Sequence, residues 1–264
     1  MKVFISADIE GVTGVTAWSE ATPGTYEYAA ACKQMTKEVL AACEACNEMG
    51  VEKIYVKDSH DIARNIDITA LPENVVLIKG WTNQPTSMVA GLDESFDAMM
   101  YIGYHAAAGC SGNPLAHTMN TANNYVKING KIASEFDMHT YIAAHYNVPI
   151  IFLSGDKELC EMSKELCPNI ETVAVKEGLG GATFNLNPEY SCKLIKEGVK
   201  KGLVKKDSCR IPSPTKFEME INFREHSRAL QASFYPGVKK LDEKTVKFVG
   251  SDIIEMMTAR MFIL

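Results

Sequence analysis

Short apolar runs alternate with longer amphipathic stretches through most of the chain. The first run opens at Lys2 and ends in two carboxylates, and residues 26–49 then repeat apolar positions at helical spacing up to Gly50. A second run at 53–58 completes a strand, helix and strand unit. Because such a unit places its strands parallel with a right-handed crossover, the pattern predicts the start of a parallel sheet.

The alternation continues along the chain. Further buried strands are predicted at residues 75–79, 99–104, 149–156 and 172–175. Asn129-Gly130 between alternating residues predicts a hairpin, and helices are predicted from Ser134, with Glu135 as the first residue, and over 157–166. Together these elements indicate the α/β class, with a mostly parallel central sheet flanked by helices.

The pattern changes at residues 211–215, where two prolines exclude a helix. Residues 217–221 then alternate with period two, as a strand with one wet face does. Later stretches predict a helix, a strand and a helix, at residues 224–232, 245–249 and 251–263. We therefore predict an α/β domain over residues 1–210 and a smaller α+β appendage over 211–264 packed on it, with one compact unit as the alternative.

Composition and charge narrow the choice of partners. The 264 residues carry a formal net charge of -6 and no cluster of Lys and Arg, which argues against nucleic acid. No apolar run is long enough to cross a bilayer, and the start of the chain lacks the pattern of a signal peptide. The eight cysteines are scattered, which favours reduced thiols in the cytoplasm. Cys43 and Cys46 match a redox spacing, but they fall near the end of a helical pattern, where packing explains them better.

Residues with metal-binding side chains gather after the predicted strands. Asp8 and Glu10 follow the first strand, His60 the second and His105 the strand at 99–104, while Glu135 begins the helix after the hairpin. Ligands of parallel sheets bind at the carboxyl ends of the strands, so these residues are expected at one edge. Carboxylate and imidazole suit zinc, and also manganese or cobalt, and a bridging carboxylate permits two ions.

Each of these residues also has an ordinary explanation. His60 could cap a turn, His105 could be a hydrogen-bonded core histidine, and Glu135 could favour the positive end of its helix. His139 lies one helical turn after Glu135 and is a reserve ligand, whereas other histidines, His145 and His226, suit surface or packing positions. Because several ligand types meet at one edge, the metal hypothesis is the stronger.

Five stretches of the chain resemble, in order, the zinc-dependent D-aminopeptidase family, peptidase family M55. They are residues 6–11, 58–60, 103–105, 117–119 and 148–156. The resemblance implies a two-zinc hydrolase in which Asp8 bridges the ions and His117 is catalytic. It implies that the ligand set is completed by Glu10, His60, His105 and Glu135, and that subunits assemble as a homodecameric ring enclosing the active sites. One departure is Ser134, which stands where the family pattern has Gly.

The expected activity is the release of amino-terminal residues, D-Ala among them, from short peptides. Metal-activated water would attack the peptide carbonyl, and His117, on a loop at 106–124 without clear periodicity, would move a proton to the leaving nitrogen. One alternative is a metal-dependent amidase or phosphoesterase, although neither a phosphate-binding Gly-rich loop nor paired Arg is present. Another is a non-catalytic peptide-binding protein that uses the metal as a clamp.

Overall fold

Strands and helices alternate along the whole chain in the structure, a computed structural model that describes residues 1–264. The strands and α-helices are β1 (Lys2–Ala7), α1 (Trp18–Ala21), α2 (Tyr28–Glu48), β2 (Lys53–Asp58), β3 (Val75–Ile78), β4 (Ala98–Tyr104), β5 (Asn123–Ile128), β6 (Lys131–Ile132), α3 (Glu135–His145), β7 (Ile150–Asp156), α4 (Lys157–Leu166), β8 (Glu171–Leu179), β9 (Ala182–Asn185), α5 (Pro188–Val204), β10 (Phe217–Phe223), α6 (His226–Ala232), β11 (Lys239–Lys240), β12 (Thr245–Gly250) and α7 (Ile253–Ile263). Short 3₁₀ turns occupy Ile68–Ala70, Ser87–Val89 and Lys206–Cys209.

The larger sheet has seven strands in the order β3-β2-β1-β4-β7-β8-β9, and every pair is parallel except β8 with β9. The interior strand β1 is buried from Val3 to Ala7, as expected when both faces of a parallel sheet are covered. One face packs against α2 and α5, and the other against α3, α7 and the second sheet. The predicted fold class is confirmed.

The order of the strands creates a switch point between β1 and β4. From β1 the chain builds outward through β2 and β3, and it then returns to the other side of β1 to build β4, β7 and β8. The connections on the two sides of this point leave in opposite directions, so a crevice opens at the carboxyl ends of β1 and β4. Doubly wound proteins bind their ligands in such a crevice.

The smaller sheet is antiparallel, with the order β11-β12-β10-β5-β6. In β10 buried residues alternate with half-exposed ones, as its period of two predicts. The predicted hairpin joins β5 and β6, with positive φ angles at Asn129 and Gly130. This hairpin precedes residue 210 but pairs with β10, because Met219 lies opposite Ile128. Strand pairing thus crosses the proposed boundary, and the division into residues 1–210 and 211–264 stays a prediction.

Two expectations from composition concern cysteines and membranes. All eight cysteines are free thiols. Cys43 and Cys46 are buried within α2, and burial raises the pKa of both, that of Cys46 to about 12. Such thiols are packing groups rather than a redox pair. No α-helix in the structure combines the length and the apolar character that crossing a bilayer requires.

Candidate metal centre

The five predicted ligands come together at the switch point. Asp8 and Glu10 follow β1, His60 lies two residues beyond β2, His105 directly follows β4, and Glu135 is the first residue of α3. All five side chains are buried. Parallel strands therefore bring residues distant in sequence to one edge of the sheet, as predicted.

The backbone of β1 and that of β4 approach closely beneath the centre. The amide of Asp8 donates to the carbonyl of Ile102 at 2.9 Å, and the amide of Gly11 to that of Gly103 at 2.8 Å. Gly103 has a φ of +71°, and a Cβ there would lie 2.3 Å from the Asp8 carbonyl oxygen, so only glycine fits. Since β1 ends at Ala7, a turn after the strand brings Asp8 and Glu10 to the same site.

One cluster of ligand atoms is built around His60. Its Nε2 lies 2.5 Å from the carbonyl oxygen of Ala21, an acceptor, so Nε2 carries the proton and donates it. In the neutral ring Nδ1 then presents a lone pair to two carboxylate oxygens, Asp8 Oδ1 at 3.3 Å and Glu10 Oε2 at 3.0 Å. Three acceptors that face one another require a cation between them.

A second cluster is built in the same way around His105. Its Nδ1 donates to the carbonyl oxygen of Ala106 at 2.9 Å, which directs Nε2 towards Asp8 Oδ2 and Glu135 Oε2, each at 3.6 Å. This Nε2 is buried and has no hydrogen-bond partner. Asp8 thus presents one oxygen to each cluster, the arrangement of a carboxylate that bridges two ions.

The charges of the site explain why it needs cations. Burial and the negative charge of Glu10 raise the pKa of Asp8 well above its ordinary value. Burial alone would lower the pKa of His60, but the carboxylates of Glu10 and Asp8 raise it to about 12. Burial would also lower the pKa of His105, but the carboxylates of Glu135, Glu10 and Asp8 raise it to about 10. The ligand set therefore attracts positive charge strongly, and metal ions supply it without protonating the ligands.

His117 lies at the wall of the same site. Its Nδ1 donates to the carbonyl oxygen of Leu115 at 2.9 Å, and its Nε2 lies 3.4 Å from Glu135 Oε1. The ring stacks on that of His105 with centroids 4.4 Å apart, and Trp18 lies on another side at 5.4 Å. Its side chain is 12% exposed, more than that of His105 or His60, so it is the site histidine most accessible to a substrate.

Four of the five candidate ligands line an open cavity of about 420 Å³, and they are Asp8, Glu10, His60 and Glu135. Trp18 and Trp81 are partly exposed at its rim, and Met119, Asn120 and Thr121 come from the loop that carries His117. Of these five residues, only Met119 lies in a stretch that the sequence singled out, residues 117–119. The chain has two tryptophans, Trp18 and Trp81, and both lie in stretches whose sequence predicts loops. A tryptophan in a loop is the one sequence signal that points to the rim of this cavity.

Two details of α3 modify the sequence interpretation. His139 is not a ligand, because its Nδ1 donates to the carbonyl oxygen of Glu135 at 2.6 Å and its Nε2 accepts from the amide of Met88 at 3.4 Å. Ser134 has a φ of −82°, so the position does not need glycine, and its hydroxyl accepts from the amide of Asp137 as the helix cap. The serine therefore fixes the turn that presents Glu135.

Proteins of known family resemble this chain over nearly its whole length. The model of peptidase family M55, D-aminopeptidase, matches residues 1–262. A D-aminopeptidase of Bacillus subtilis (strain 168) is 29% identical over 262 residues, which are 98% of this chain and 95% of the relative. The solved structure of the Zn-dependent D-aminopeptidase DppA from Bacillus subtilis, a self-compartmentalizing protease, is similar with a TM-score of 0.93 at 29% identity, and the match covers 98% of this chain and 95% of that one. The family resemblance is thereby confirmed, and the chain belongs to the D-aminopeptidase family, peptidase family M55.

Proposed function

We propose that the protein is a zinc-dependent aminopeptidase that releases amino-terminal residues of D configuration, such as D-Ala, from short peptides. The observation that carries the proposal is that two groups of possible ligand atoms share Asp8 beside an open cavity, and a third group, of Glu10, His105 and His117, overlaps them. Family membership supports the reaction class and the configuration of the substrate.

The proposed cofactor is a pair of zinc ions per subunit. Asp8 would bridge them, with Glu10 and His60 on one side and His105 and Glu135 on the other. The fit rests on the chemistry of the donors, since nitrogen and oxygen ligands of this kind suit zinc and also accept Mn²⁺ or Co²⁺. The buried Nε2 of His105, which has no hydrogen-bond partner, supports the assignment.

Zinc, when bound, supplies a Lewis acid that polarises the peptide carbonyl and lowers the pKa of a water molecule. The residues of the chain supply the rest of the catalysis. Glu135 Oε1, held by the amide of Met119 at 2.7 Å, lies 3.4 Å from His117 Nε2. The hydrogen bond to Leu115 fixes the ring, so that Nε2 can carry a proton to the leaving nitrogen. His117 is therefore proposed as the catalytic residue rather than a ligand.

We also propose a homodecamer in the cytoplasm. The relative of known structure is self-compartmentalizing, which supports an assembly that encloses its active sites. Exposed apolar side chains near the C-terminus, among them Leu230, Phe234 and Phe262, provide surface for subunit contacts. The eight free thiols support a reducing compartment.

The decisive experiment combines metal analysis with peptide hydrolysis. Purified protein is analysed for metals and assayed against matched D-Ala and L-Ala amino-terminal peptides, before and after chelation and with zinc, manganese or cobalt restored. We expect about two zinc ions per chain, preference for the D peptide, loss of activity with the chelator and recovery with metal.

Three outcomes would contradict the proposal. Activity that survives in protein without any metal would refute the proposed metal centre. Hydrolysis of p-nitrophenyl phosphate in place of peptides would favour the phosphoesterase alternative, and bound metal with peptide binding but no turnover would favour the clamp. A monomeric mass in light scattering at micromolar concentration would refute the assembly alone.

A further inference from the structure

A second cavity adjoins the one at the metal centre. Its volume is about 280 Å³, and it shares Trp81 and Met119 with the first cavity. Met119 joins the two directly, because its amide donates to Glu135 Oε1 while its side chain lines both spaces. A molecule that reaches past Met119 from the metal centre therefore enters the second cavity.

Arg260, in the last turn of α7, contributes the one charged side chain of this second cavity. The end of α7 is tied to the loop that carries His117, since Asn120 donates to the carbonyl oxygen of Leu264 at 2.8 Å. The other polar groups in the lining are the neutral side chains of Asn83, Gln84 and Ser87.

The guanidinium of Arg260 lacks a partner within the chain. Its Nε is buried without a hydrogen bond, and no carboxylate forms an ion pair with it. Burial lowers its pKa to about 10, and the carboxylate of Glu135 is the only charge that acts against this change, so Arg260 stays cationic at neutral pH. Arg260 as a whole is half-buried and lines the second cavity, so a carboxylate bound there can supply the partner that the chain does not.

We propose that Arg260 binds the terminal carboxylate of a short peptide whose amino end lies at the metal centre. The planar guanidinium matches a carboxylate with two parallel hydrogen bonds. An extended peptide of two or three residues spans roughly 7–11 Å, the scale of two adjoining cavities. Arg260 thus selects both the free carboxylate and the length of the substrate. This inference rests on the proposed aminopeptidase function and specifies its substrate.

The test compares a D-Ala dipeptide with its carboxyl-terminal amide, using metal-loaded wild-type protein, Arg260→Met and Arg260→Lys. Wild type should prefer the free acid by about 10- to 100-fold in kcat/KM, the effect of losing a charged hydrogen bond. Arg260→Met should lose that preference through a higher KM for the acid, with the amide unaffected. Arg260→Lys should keep part of the preference, since it retains the charge without the fork.

Matched measurements separate a binding role from a structural one. Arg228→Met makes the same chemical change on the exposed surface of α6 and should leave the acid and amide rates as in wild type. Zinc content and molecular mass should be unchanged in Arg260→Met. Lengthening the peptide with glycines should lower kcat/KM steeply in wild type and only slightly in Arg260→Met.

Several results would overturn the inference. Equal rates for acid and amide in wild type would refute it without any variant, and would leave the aminopeptidase function standing. An equal loss for both substrates in Arg260→Met would indicate a structural role, and a lower mass would indicate that Arg260 pairs with a carboxylate of a neighbouring copy. Failure of wild type to hydrolyse either substrate would refute the proposed function, and this inference with it.

Discussion

Two kinds of buried carboxylate stand at the same edge of the parallel sheet. Asp58 is the last residue of β2, and Asp8 directly follows the neighbouring strand β1. Oδ1 of Asp58 accepts from the side chain of Asn65 at 2.7 Å, and Oδ2 accepts from the amides of Asn65 and Ile66 at 2.6 and 2.8 Å. Asp8 accepts one amide hydrogen, from Ile9. Its oxygens otherwise face histidine nitrogens at 3.3 and 3.6 Å.

The difference separates a structural carboxylate from the one that we propose binds cations. Asp58 has donors for both oxygens, so its charge is satisfied by the chain itself. Asp156, at the end of β7, behaves in the same way, because it accepts from the amides of Leu159 and Ala106 and from Asn113. Asp8 has too few donors and needs a positive ion. Position at a strand end is common to all three, and the supply of donors distinguishes them.

The largest effect is expected from Asp8→Asn. This change removes the charge that both clusters share while keeping the size of the side chain, so both ions should be lost and kcat/KM should fall by more than about 10⁴-fold. The melting temperature of the zinc-free protein should not fall, because a buried charge that is costly without metal has gone. Zinc content, kcat/KM and melting temperature on one preparation check the prediction, and full zinc occupancy would contradict it.

His117→Ala should separate catalysis from metal binding. A general acid or base typically contributes about 10²- to 10⁴-fold, so kcat should fall by that factor while zinc content and KM change little. Metal analysis and steady-state kinetics on the same sample provide the measurement. A nearly silent substitution would make His117 an ordinary loop residue, and loss of zinc would make it a ligand.

Asp58→Ala should show the opposite signature. Removing the carboxylate leaves the donors of Asn65 and Ile66 without acceptors, at about 1–3 kcal/mol for each buried group. We therefore expect the free energy of unfolding to fall by about 3 kcal/mol or more, with kcat/KM of the folded protein within about tenfold of wild type. Urea denaturation and kinetics test this. Zinc loss at unchanged stability would show that the comparison with Asp8 is wrong.

The smallest effect is expected at Cys43 and Cys46, which are buried but uncharged. Burial raises the pKa of both thiols, so little reactive thiolate forms near neutral pH. Iodoacetamide should modify them slowly in the native protein and rapidly in denaturant, and Cys46→Ala should leave kcat/KM unchanged. Rapid modification of the native protein with loss of activity would restore the redox interpretation. Mass spectrometry of timed samples gives the rates.

Most of the parallel sheet could be predicted because its strands are apolar runs buried on both faces. Helix α5 and strand β9 were not predicted. Gly198 and Gly202 weaken the helical signal of α5. Both positions need glycine because the helix packs closely on β7. A Cβ at Gly198 would lie 2.5 Å from the Phe152 ring, and one at Gly202 would lie 2.5 Å from the carbonyl oxygen of Ile151. That requirement is tertiary and leaves no periodic pattern in the sequence.

The residues of the candidate site likewise include some that the sequence could predict and some that it could not. The meeting of residues at strand ends could be predicted, because the topology of a parallel sheet alone brings them together. Arg260 could not, since its place beside Met119 depends on how α7 docks against the loop after β4. The hydrogen bond that occupies Nε2 of His139 likewise comes from the amide of Met88, and no sequence pattern reveals that contact.

The shared antiparallel sheet has a consequence for how the protein is made. Asn129, in the hairpin between β5 and β6, bonds to Glu218, a residue synthesised 89 positions later. Helix α3, which begins with Glu135, packs in the same apolar cluster as this sheet and α7. Its support is therefore completed only when residues 217–263 have left the ribosome. All five candidate ligand residues are synthesised before that moment, so the packing that holds Glu135 in place forms later than the residues it serves.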